Sequence, residues 1–167
     1  MDLEQSKSER IPLVTEVEQK IRPPIKVVSL SGKGDPRPQL GKEMAKIYSW
    51  LEKKGIVSVG PTFATFHTRR DEVGVENVEW DACVPISVNS EVETKDEFRC
   101  QELPGAKVIS TTLTGSYDLI GEALNCMENQ AKTRGIKTKW PLTEIYWKVG
   151  ENPVTELQYL VDEEETS

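Results

Sequence analysis

The 167-residue chain is poor in the residues from which metal and disulfide sites are built, with one histidine, His67, and three cysteines, at positions 83, 100 and 126. The odd cysteine count without CxxC spacing suggests neither a disulfide framework nor a zinc site. The single histidine excludes a histidine-rich metal centre, and a Ser/His/Asp triad would have to use His67. Phosphate-binding loops are missing too, because Gly32 and Gly34 lack the rest of either glycine pattern. We therefore expect no metal site and no cofactor.

Long apolar runs and an excess of basic residues are also missing. No segment approaches the roughly 20 apolar residues of a membrane-spanning helix, and the polar start of the chain does not resemble a signal peptide. With 21 basic and 28 acidic residues the net charge is −7, which argues against direct nucleic-acid binding. The sequence thus predicts a cytoplasmic protein that contacts neither membrane nor nucleic acid. Its acidity is compatible with a cationic ligand, although most acidic proteins are simply soluble.

What the chain does contain is an internal repeat of about 81 positions. Residues 26–29 (KVVS) return as 107–110 (KVIS), and a glycine follows each copy, at Gly34 and Gly115. Further landmarks recur in the same order, and Pro61 and Pro141 open the next segment of each copy. A duplicated unit of this length is a supersecondary module whose second copy covers a face that one copy would expose. The seam between the copies is a favourable place for a ligand.

Each copy has the pattern strand, turn, strand, helix, strand, hairpin loop, strand. Helices are predicted over 38–54 and 117–134 because apolar residues recur there at helical spacing: Leu40, Met44, Ile47 and Leu51, then Ile120, Leu124, Met127 and Ala131. Gly55 and Gly135 are expected to end them. Eight strands are expected, over 14–22, 25–31, 62–68, 78–88, 97–103, 107–112, 142–149 and 154–161, with a charged loop at 69–76.

Helices with a single apolar stripe need a sheet to cover, so we expect an α+β fold. Its sheet would be largely antiparallel and eight-stranded, with two helices on one face and a ligand cleft between the repeats. We expect one domain, residues 13–161, built from repeats 13–88 and 96–161. A flexible tail at 1–12 and an acidic tail at 162–167 would flank it.

One acidic residue breaks the strand pattern. Glu144 lies in mid-strand between Leu142 and Tyr146 on one face, at the position where the first repeat has Ala64. Burying an unpaired carboxylate costs several kcal/mol, so Glu144 is either paired or used. It either forms a structural salt bridge or hydrogen bond to a neighbouring strand, or lies at the bottom of an aromatic cup. There it would attract a lipophilic cation or act as a general acid or base.

Aromatic residues on the strands after the two helices would supply the walls of this cup. The candidates are Phe66, Trp80, Tyr146 and Tyr159, with Leu142 beside them and Trp140 and Trp147 close by. Core packing is the alternative for each of them. Trp147 and His67 alternate away from Glu144 and are expected to face the helices or solvent. Asp81 and Glu156 occupy corresponding places in the repeats, which favours a structural role for both.

Four stretches together resemble the GyrI-like small-molecule-binding family, which includes the drug-binding domains of bacterial multidrug-responsive transcription activators. They are residues 98–117 (FRCQELPGAKVISTTLTGSY), their diverged copy 14–34, the strand 142–149 with its Asn-Pro turn at 152–153, and the closing strand 154–161 (VTELQYLV). The resemblance implies two strand-helix-strand modules around a pseudo-twofold axis with the ligand in the cleft between them. It places the family's pocket glutamate at Glu144 and a pocket wall at Tyr146. The activators' DNA-binding region has no counterpart here, so a stand-alone member is expected.

Three functions remain open at this point. The first is a binding protein that senses or sequesters lipophilic, often cationic, small molecules such as drugs or toxins. The second is a cofactor-free hydrolase of electrophilic cyclopropane-type genotoxins, as the resemblance implies, with Glu144 and Tyr146 as its catalytic residues. The third is a protein partner, such as DNA gyrase, which some family members bind and protect. The binding protein is our first expectation.

Overall fold

The computed structural model describes residues 13–163, which form an antiparallel nine-stranded sheet and three helices in an α+β arrangement. The strands are β1 (Leu13–Val14), β2 (Glu18–Arg22), β3 (Ile25–Lys33), β4 (Phe63–Phe66), β5 (Glu79–Pro85), β6 (Arg99–Leu103), β7 (Ala106–Thr114), β8 (Thr138–Lys148) and β9 (Val154–Val161). The helices are α1 (Pro36–Lys53), α2 (Arg70–Val73) and α3 (Ile120–Thr133), with 3-10 turns at Val75–Asn77 and Tyr117–Leu119. The predicted fold class is confirmed. Among these helices, none is long and apolar enough to cross a membrane.

The two long helices begin and end alike, as the repeat predicts. The side chains of Asp35 and Ser116 each accept a hydrogen bond from a backbone N–H in the turn that opens α1 and the α3 segment. Gly55 and Gly135 follow the last helical turns in the left-handed conformation, with φ of 70° and 69°. After each glycine the next N–H donates back to a carbonyl in the last turn of the helix. The expected helix-ending role of both glycines is confirmed.

The order of strands in the sheet shows that the repeats exchange their first strands. The order is β1-β7-β9-β8-β4-β5-β3-β6, and β2 also pairs with β7. Strand β2 of the first repeat therefore lies against β7 of the second, and β6 of the second lies against β3 of the first. Neither repeat thus has its complete set of strand pairs without the other.

The repeats also meet at the centre of the sheet, where β4 pairs with β8. Ala64 lies opposite Glu144 in this pair, with Phe66 opposite Leu142 on the same face. Ala64 and Glu144 are equivalent positions of the two repeats, so a pseudo-twofold axis passes through this pair. Two glutamates here would place like charges directly opposite each other, which destabilises a sheet. Alanine in the first repeat avoids this repulsion.

Both long helices pack on the same face of the sheet. The main core lies between them and the strands, and it buries Ile47 and Leu51 of α1 and Met127 and Ala131 of α3. A smaller apolar cluster on the opposite face is formed by Val27, Phe63 and Cys83, with Ile25, Leu103 and Ile145 packed against it. The second face therefore carries a small core of its own.

Several sequence-based element predictions need correction. The first expected strand is two strands, β1 and β2, and residues 13–163 contribute nine strands to the sheet rather than eight. The charged loop predicted at 69–76 contains α2 and a 3-10 turn instead, and β8 begins at Thr138, before Pro141, which sits at an irregularity in the β8–β9 register. The tail predicted at 1–12 lies outside the described residues, as do residues 164–167 of the acidic tail. Asp162 is held by its N–H, which donates to the Lys137 carbonyl.

Candidate functional site

An open cleft of about 1700 Å³ lies between α1 and α3 on the helix-bearing face of the sheet. The helices line it with equivalent positions: Leu40, Gly41, Met44, Ala45 and Tyr48 from α1, and Ile120, Gly121, Leu124, Asn125 and Glu128 from α3. Of the apolar residues predicted at helical spacing, the first two on each helix line the cleft and the last two are buried in the core. The cleft straddles the pseudo-twofold axis. It exceeds the roughly 300–1,000 Å³ typical of small-molecule pockets.

Strands β4, β8 and β9 form the floor of the cleft in cross-strand rows. One row is Phe66, Leu142 and Tyr159, and the next is Ala64, Glu144 and Leu157. Tyr146 follows two residues beyond Glu144 on the same face. Five of the residues predicted as site residues therefore share one surface of the sheet and line the cleft: Phe66, Leu142, Glu144, Tyr146 and Tyr159.

Glu144 lies at the bottom of this cleft and is only 9% exposed. The hydroxyl of Tyr146 donates a hydrogen bond of 2.8 Å to its Oε1. Within residues 13–163 no lysine, arginine or histidine forms an ion pair with it. Burial raises the pKa of Glu144 to about 7, although the hydrogen bond from Tyr146 acts in the opposite direction. The carboxyl group is thus poised between its neutral and ionised forms near neutral pH.

Two tyrosines surround this carboxyl group. The ring of Tyr117 meets the ring of Tyr146 edge-on, with centroids 6.2 Å apart. Burial, followed by the charge of Glu144, raises the pKa of both phenols above their usual value. Both phenols therefore stay protonated at neutral pH, and that of Tyr146 donates the hydrogen bond to Glu144. Glu144 thus has one hydroxyl donor and aromatic surroundings, but no compensating cation among the described residues.

A second carboxylate–tyrosine pair lies in the other half of the cleft. The buried Tyr159 donates its hydroxyl to Glu128 Oε1 at 3.0 Å, and Trp140 packs against Tyr159 with ring centroids 5.8 Å apart. Here a cation is present, because the guanidinium carbon of Arg69 lies 5.5 Å from the centre of the Trp140 ring. Arg69 Nη2 is 3.9 Å from Glu128 Oε1. The two halves therefore differ in whether their acid already has a cationic neighbour.

The mouth of the cleft carries exposed aromatic rings and bare helix backbone. Tyr48 and Tyr117 are 41% and 42% exposed, and the Tyr48 hydroxyl forms a hydrogen bond with Thr62. Gly41 and Gly121 occupy equivalent positions on the two helices, and a Cβ at either would meet no atom within 4 Å. The helix walls are therefore open at this level.

Trp80, which we also predicted as a wall of the cup, does not line the cleft. It is 1% exposed, and its indole N–H donates to the Gly34 carbonyl at 3.1 Å. Its ring lies directly on Gly32, where a Cβ would come within 2.3 Å of the ring. Trp80 is therefore a core residue, which was the alternative to a place in the cleft wall.

His67 and Trp147 lie on the face away from the helices and are both exposed to solvent, which is the second of the two alternatives expected for them. His67 Nε2 lies 2.8 Å from Asp81 Oδ2, and the Trp147 indole donates to Glu156 Oε1 at 2.9 Å. The Asp81 hydrogen bond raises the pKa of His67. These pairs occupy equivalent positions in the repeats. Trp147 is 56% exposed and also borders the rim of the cleft.

Glu156 is fully engaged on that second face. It is 4% exposed and accepts hydrogen bonds from Ser110, Trp147 and Gln158, while Lys20 Nζ lies 2.6 Å from its Oε2. Burial alone would raise its pKa, but these donors together lower it to about 2. Glu156 is thus a permanently charged structural carboxylate, unlike Glu144.

The cleft residues that sequence reasoning missed include Tyr48, Arg69, Tyr117 and Glu128. A signal for two of them was available, because Tyr48 and Glu128 occupy equivalent positions of the repeat on the two predicted helices. Tyr117 opens the 3-10 turn before α3. Arg69 belonged to a segment predicted as loop. In the part of the chain that the structure describes, no group of three or more His, Cys, Asp or Glu side chains is arranged to hold a metal ion.

Several solved structures share this fold, although their sequences are no more than 20% identical to this chain. The chain is similar to EcmrR in a complex with DNA, with 20% identity, a TM-score of 0.77 and 96% of this chain covered, and it spans 62% of that EcmrR chain. It is also similar to a hydrolase from Listeria innocua, with 14% identity, a TM-score of 0.70 and coverage of 96% and 97% of the two chains. SAV2435 bound to tetraphenylphosphonium is similar as well, at 13% identity and a TM-score of 0.56, over 90% of this chain and 96% of that one.

At these identities the likeness to solved structures shows the fold alone. A comparison with curated protein sequences finds no match. The family assignment rests instead on a family model that matches residues 15–161, nearly the whole chain. With a cleft between two equivalent helices and this match along the sequence, the chain belongs to the family of GyrI-like small-molecule-binding domains.

Proposed function

We propose that the chain binds lipophilic cations in the cleft, with Glu144 as the counter-charge. The observation that carries the proposal is a 9% exposed carboxyl group without an ion-pair partner in residues 13–163, at the bottom of an open aromatic cleft. Such a group is costly to ionise without a cation nearby. A bound organic cation would supply that charge without the hydration that a metal ion demands.

The walls of the cleft suit an organic cation of irregular shape. Phe66, Leu142, Tyr146 and Tyr159 offer apolar and aromatic surface on the strands, and ring faces attract cations. Tyr146 would hold the ionised form of Glu144 by its hydrogen bond. The strand floor offers few polar groups to enforce selectivity, so we expect broad rather than narrow ligand choice. The tetraphenylphosphonium bound to the similar fold of SAV2435 belongs to this ligand class.

Calorimetric titration with tetraphenylphosphonium tests this proposal. Glu144→Gln should weaken binding at least tenfold above neutral pH, because it removes the charge and keeps the shape. Glu122→Gln is the matched control, since it removes one exposed acidic charge near the cleft rim. Equal affinities of wild type and Glu144→Gln would contradict the proposal. An equal loss in both variants would assign the effect to net charge.

Hydrolysis is the second candidate, because the Glu144–Tyr146 pair also suits acid–base chemistry. A carboxyl group with a pKa of about 7 accepts and returns a proton near neutral pH. In the opening of an electrophilic cyclopropane, Glu144 would take a proton from water while the water oxygen bonds to one ring carbon. The ring C–C bond would break, and the proton would pass to the other carbon. Mass spectrometry for a product heavier by one water, formed by wild type and not by Glu144→Gln, separates hydrolysis from binding.

We do not extend the proposal to a protein partner such as DNA gyrase, because no contact among the described residues favours one. The cytoplasmic location expected from the sequence stays a prediction. The Listeria innocua hydrolase shares the fold at 14% identity, which supports testing turnover without assigning it.

A further inference from the structure

We propose that the cleft contains a second cation subsite, formed by Trp140, Tyr159 and Glu128, and that the Arg69 guanidinium occupies it in the free protein. This inference builds on the proposed cation-binding cleft and adds a ligand class, namely molecules with two cationic groups joined by an apolar spacer. The subsite and Glu144 line the same cleft.

The arrangement of the three side chains is that of a cation site. Glu128 supplies a carboxylate, which the hydroxyl of Tyr159 holds in place by a hydrogen bond of 3.0 Å. Tyr159 is itself only 2% exposed. Trp140 adds the aromatic face that attracts cations best. The Arg69 guanidinium lies over that face, 5.5 Å from the ring centre, and 3.9 Å from Glu128. Arg69 thus makes the contacts that a ligand cation would make.

Arg69 can leave this position at low cost because it has other partners. Its Nε lies 3.3 Å from Asp71 and 3.7 Å from Glu72, both on α2 and both mostly exposed. The Arg69 side chain is itself 37% exposed. These acids would keep its charge compensated after it moved off Trp140. A cationic ligand group would then replace the guanidinium over the ring and beside Glu128.

The two subsites are close enough for one ligand. Tyr159 is the cross-strand partner of Leu142, which lies two residues from Glu144 on the same strand face. Diagonal neighbours of this kind have Cα atoms about 7–8 Å apart. Because the Trp140 ring packs on Tyr159, we infer that one linear dication within the cleft can contact both Glu144 and that ring.

The test compares dications with matched monocations. Hexamethonium and decamethonium carry two trimethylammonium groups, and hexyl- and decyltrimethylammonium carry one on a chain of the same length. Titration calorimetry is carried out on wild type, Arg69→Gln and Arg69→Met. Arg37→Gln is the matched control, because it removes one positive charge from a 66% exposed side chain at the cleft mouth.

We expect both Arg69 variants to bind at least one of the dications about tenfold more tightly than wild type, in a one-to-one complex. The first-site affinity for the monocations should change less than about twofold, and Arg37→Gln should not reproduce the gain. Adding Glu128→Gln to Arg69→Gln should abolish the gain.

Three results would overturn the inference: no gain for either dication, an equal gain for the monocations, or an equal gain in Arg37→Gln. Its failure is distinguishable from that of the proposed function. Tetraphenylphosphonium binding that depends on Glu144, without an Arg69 effect on dications, would leave the cation-binding function intact. A dication gain that depends on Glu128, without any role for Glu144, would keep the second subsite and reject Glu144 as the counter-charge.

Discussion

Two glutamates on adjacent strands show how position decides the role of a residue. Glu144 and Glu156 are both almost fully buried, yet they lie on opposite faces of the sheet. Glu156 has donors on every side, and its pKa falls to about 2. Glu144 has one hydroxyl donor, and its pKa rises to about 7. The same substitution should therefore have opposite effects on stability at the two sites.

Glu144→Gln should stabilise the free protein above neutral pH. The folded-state pKa of Glu144 lies above its unfolded value of 4.5, so its contribution is fully present below that value and is lost as pH rises through about 7. Relative to wild type, the variant should gain up to about 3 kcal/mol at pH 8 and little at pH 4. Urea unfolding of both proteins at the two pH values measures this difference. A loss of stability at pH 8 would show that the charged form is structurally needed.

Glu156→Gln should destabilise the protein. Here the folded-state pKa lies below 4.5, so the contribution is present above that pH and is lost as pH falls through about 2. At neutral pH the substitution should cost about 1–3 kcal/mol, since it removes the charged acceptor of several hydrogen bonds and of the half-exposed Lys20 ammonium. Urea midpoints for Glu156→Gln and Glu144→Gln, measured side by side, check this prediction. Unchanged stability would mean that the contact with Lys20 contributes nothing net.

At the level of elements, the two long helices carry a glycine at equivalent positions facing the cleft. A methyl group added at Gly41 or Gly121 would meet no atom within 4 Å, so packing does not require glycine there. Glycine inside a helix costs about 0.5–1 kcal/mol relative to alanine. Glycine at these positions thus lowers the stability of the helices and leaves space in the cleft, which is consistent with a ligand occupying that space.

Gly41→Ala should stabilise the protein by about 0.5–1 kcal/mol, and Gly121→Ala, in the first turn of α3, by less. Both should weaken tetraphenylphosphonium binding by narrowing the cleft. Gly55→Ala is the control: its φ of +70° disfavours a side chain, so it should destabilise by roughly 1 kcal/mol without an effect on binding. Thermal unfolding and calorimetric titration of the three variants provide the measurement. Unchanged affinity in both helix variants would show that the ligand does not use these walls.

The elements also show how far sequence reasoning reached. The repeat predicted both helices and the alignment of Glu144 with Ala64, because each strand and helix repeats its own local pattern. It did not predict the exchange of β2 and β6, because equal landmarks do not reveal which copy a strand pairs with. The grouping of Arg69 with Glu128, Trp140 and Tyr159 was missed, because these residues come from a loop, a helix and two strands. Only the folded chain brings them together.

For the whole molecule, the strand exchange predicts one cooperative unit. Each half lends a strand to the sheet of the other, and β4 pairs with β8 across the centre. Urea unfolding followed by tryptophan fluorescence and by far-UV circular dichroism should give coincident transitions. Separate fragments 13–88 and 96–161 should be unfolded alone and fold on mixing. Two separate transitions, or one fragment folded by itself, would contradict this view.

The whole-molecule account depends on a carboxyl group that changes its charge when a cation enters the cleft. The most direct test is an NMR titration of the Glu144 side-chain carboxyl carbon, with and without saturating tetraphenylphosphonium. We predict a pKa near 7 in the free protein and a clear decrease in the complex, because the bound cation favours the ionised form. A pKa that is the same with and without the ligand would contradict the role of Glu144 as the counter-charge.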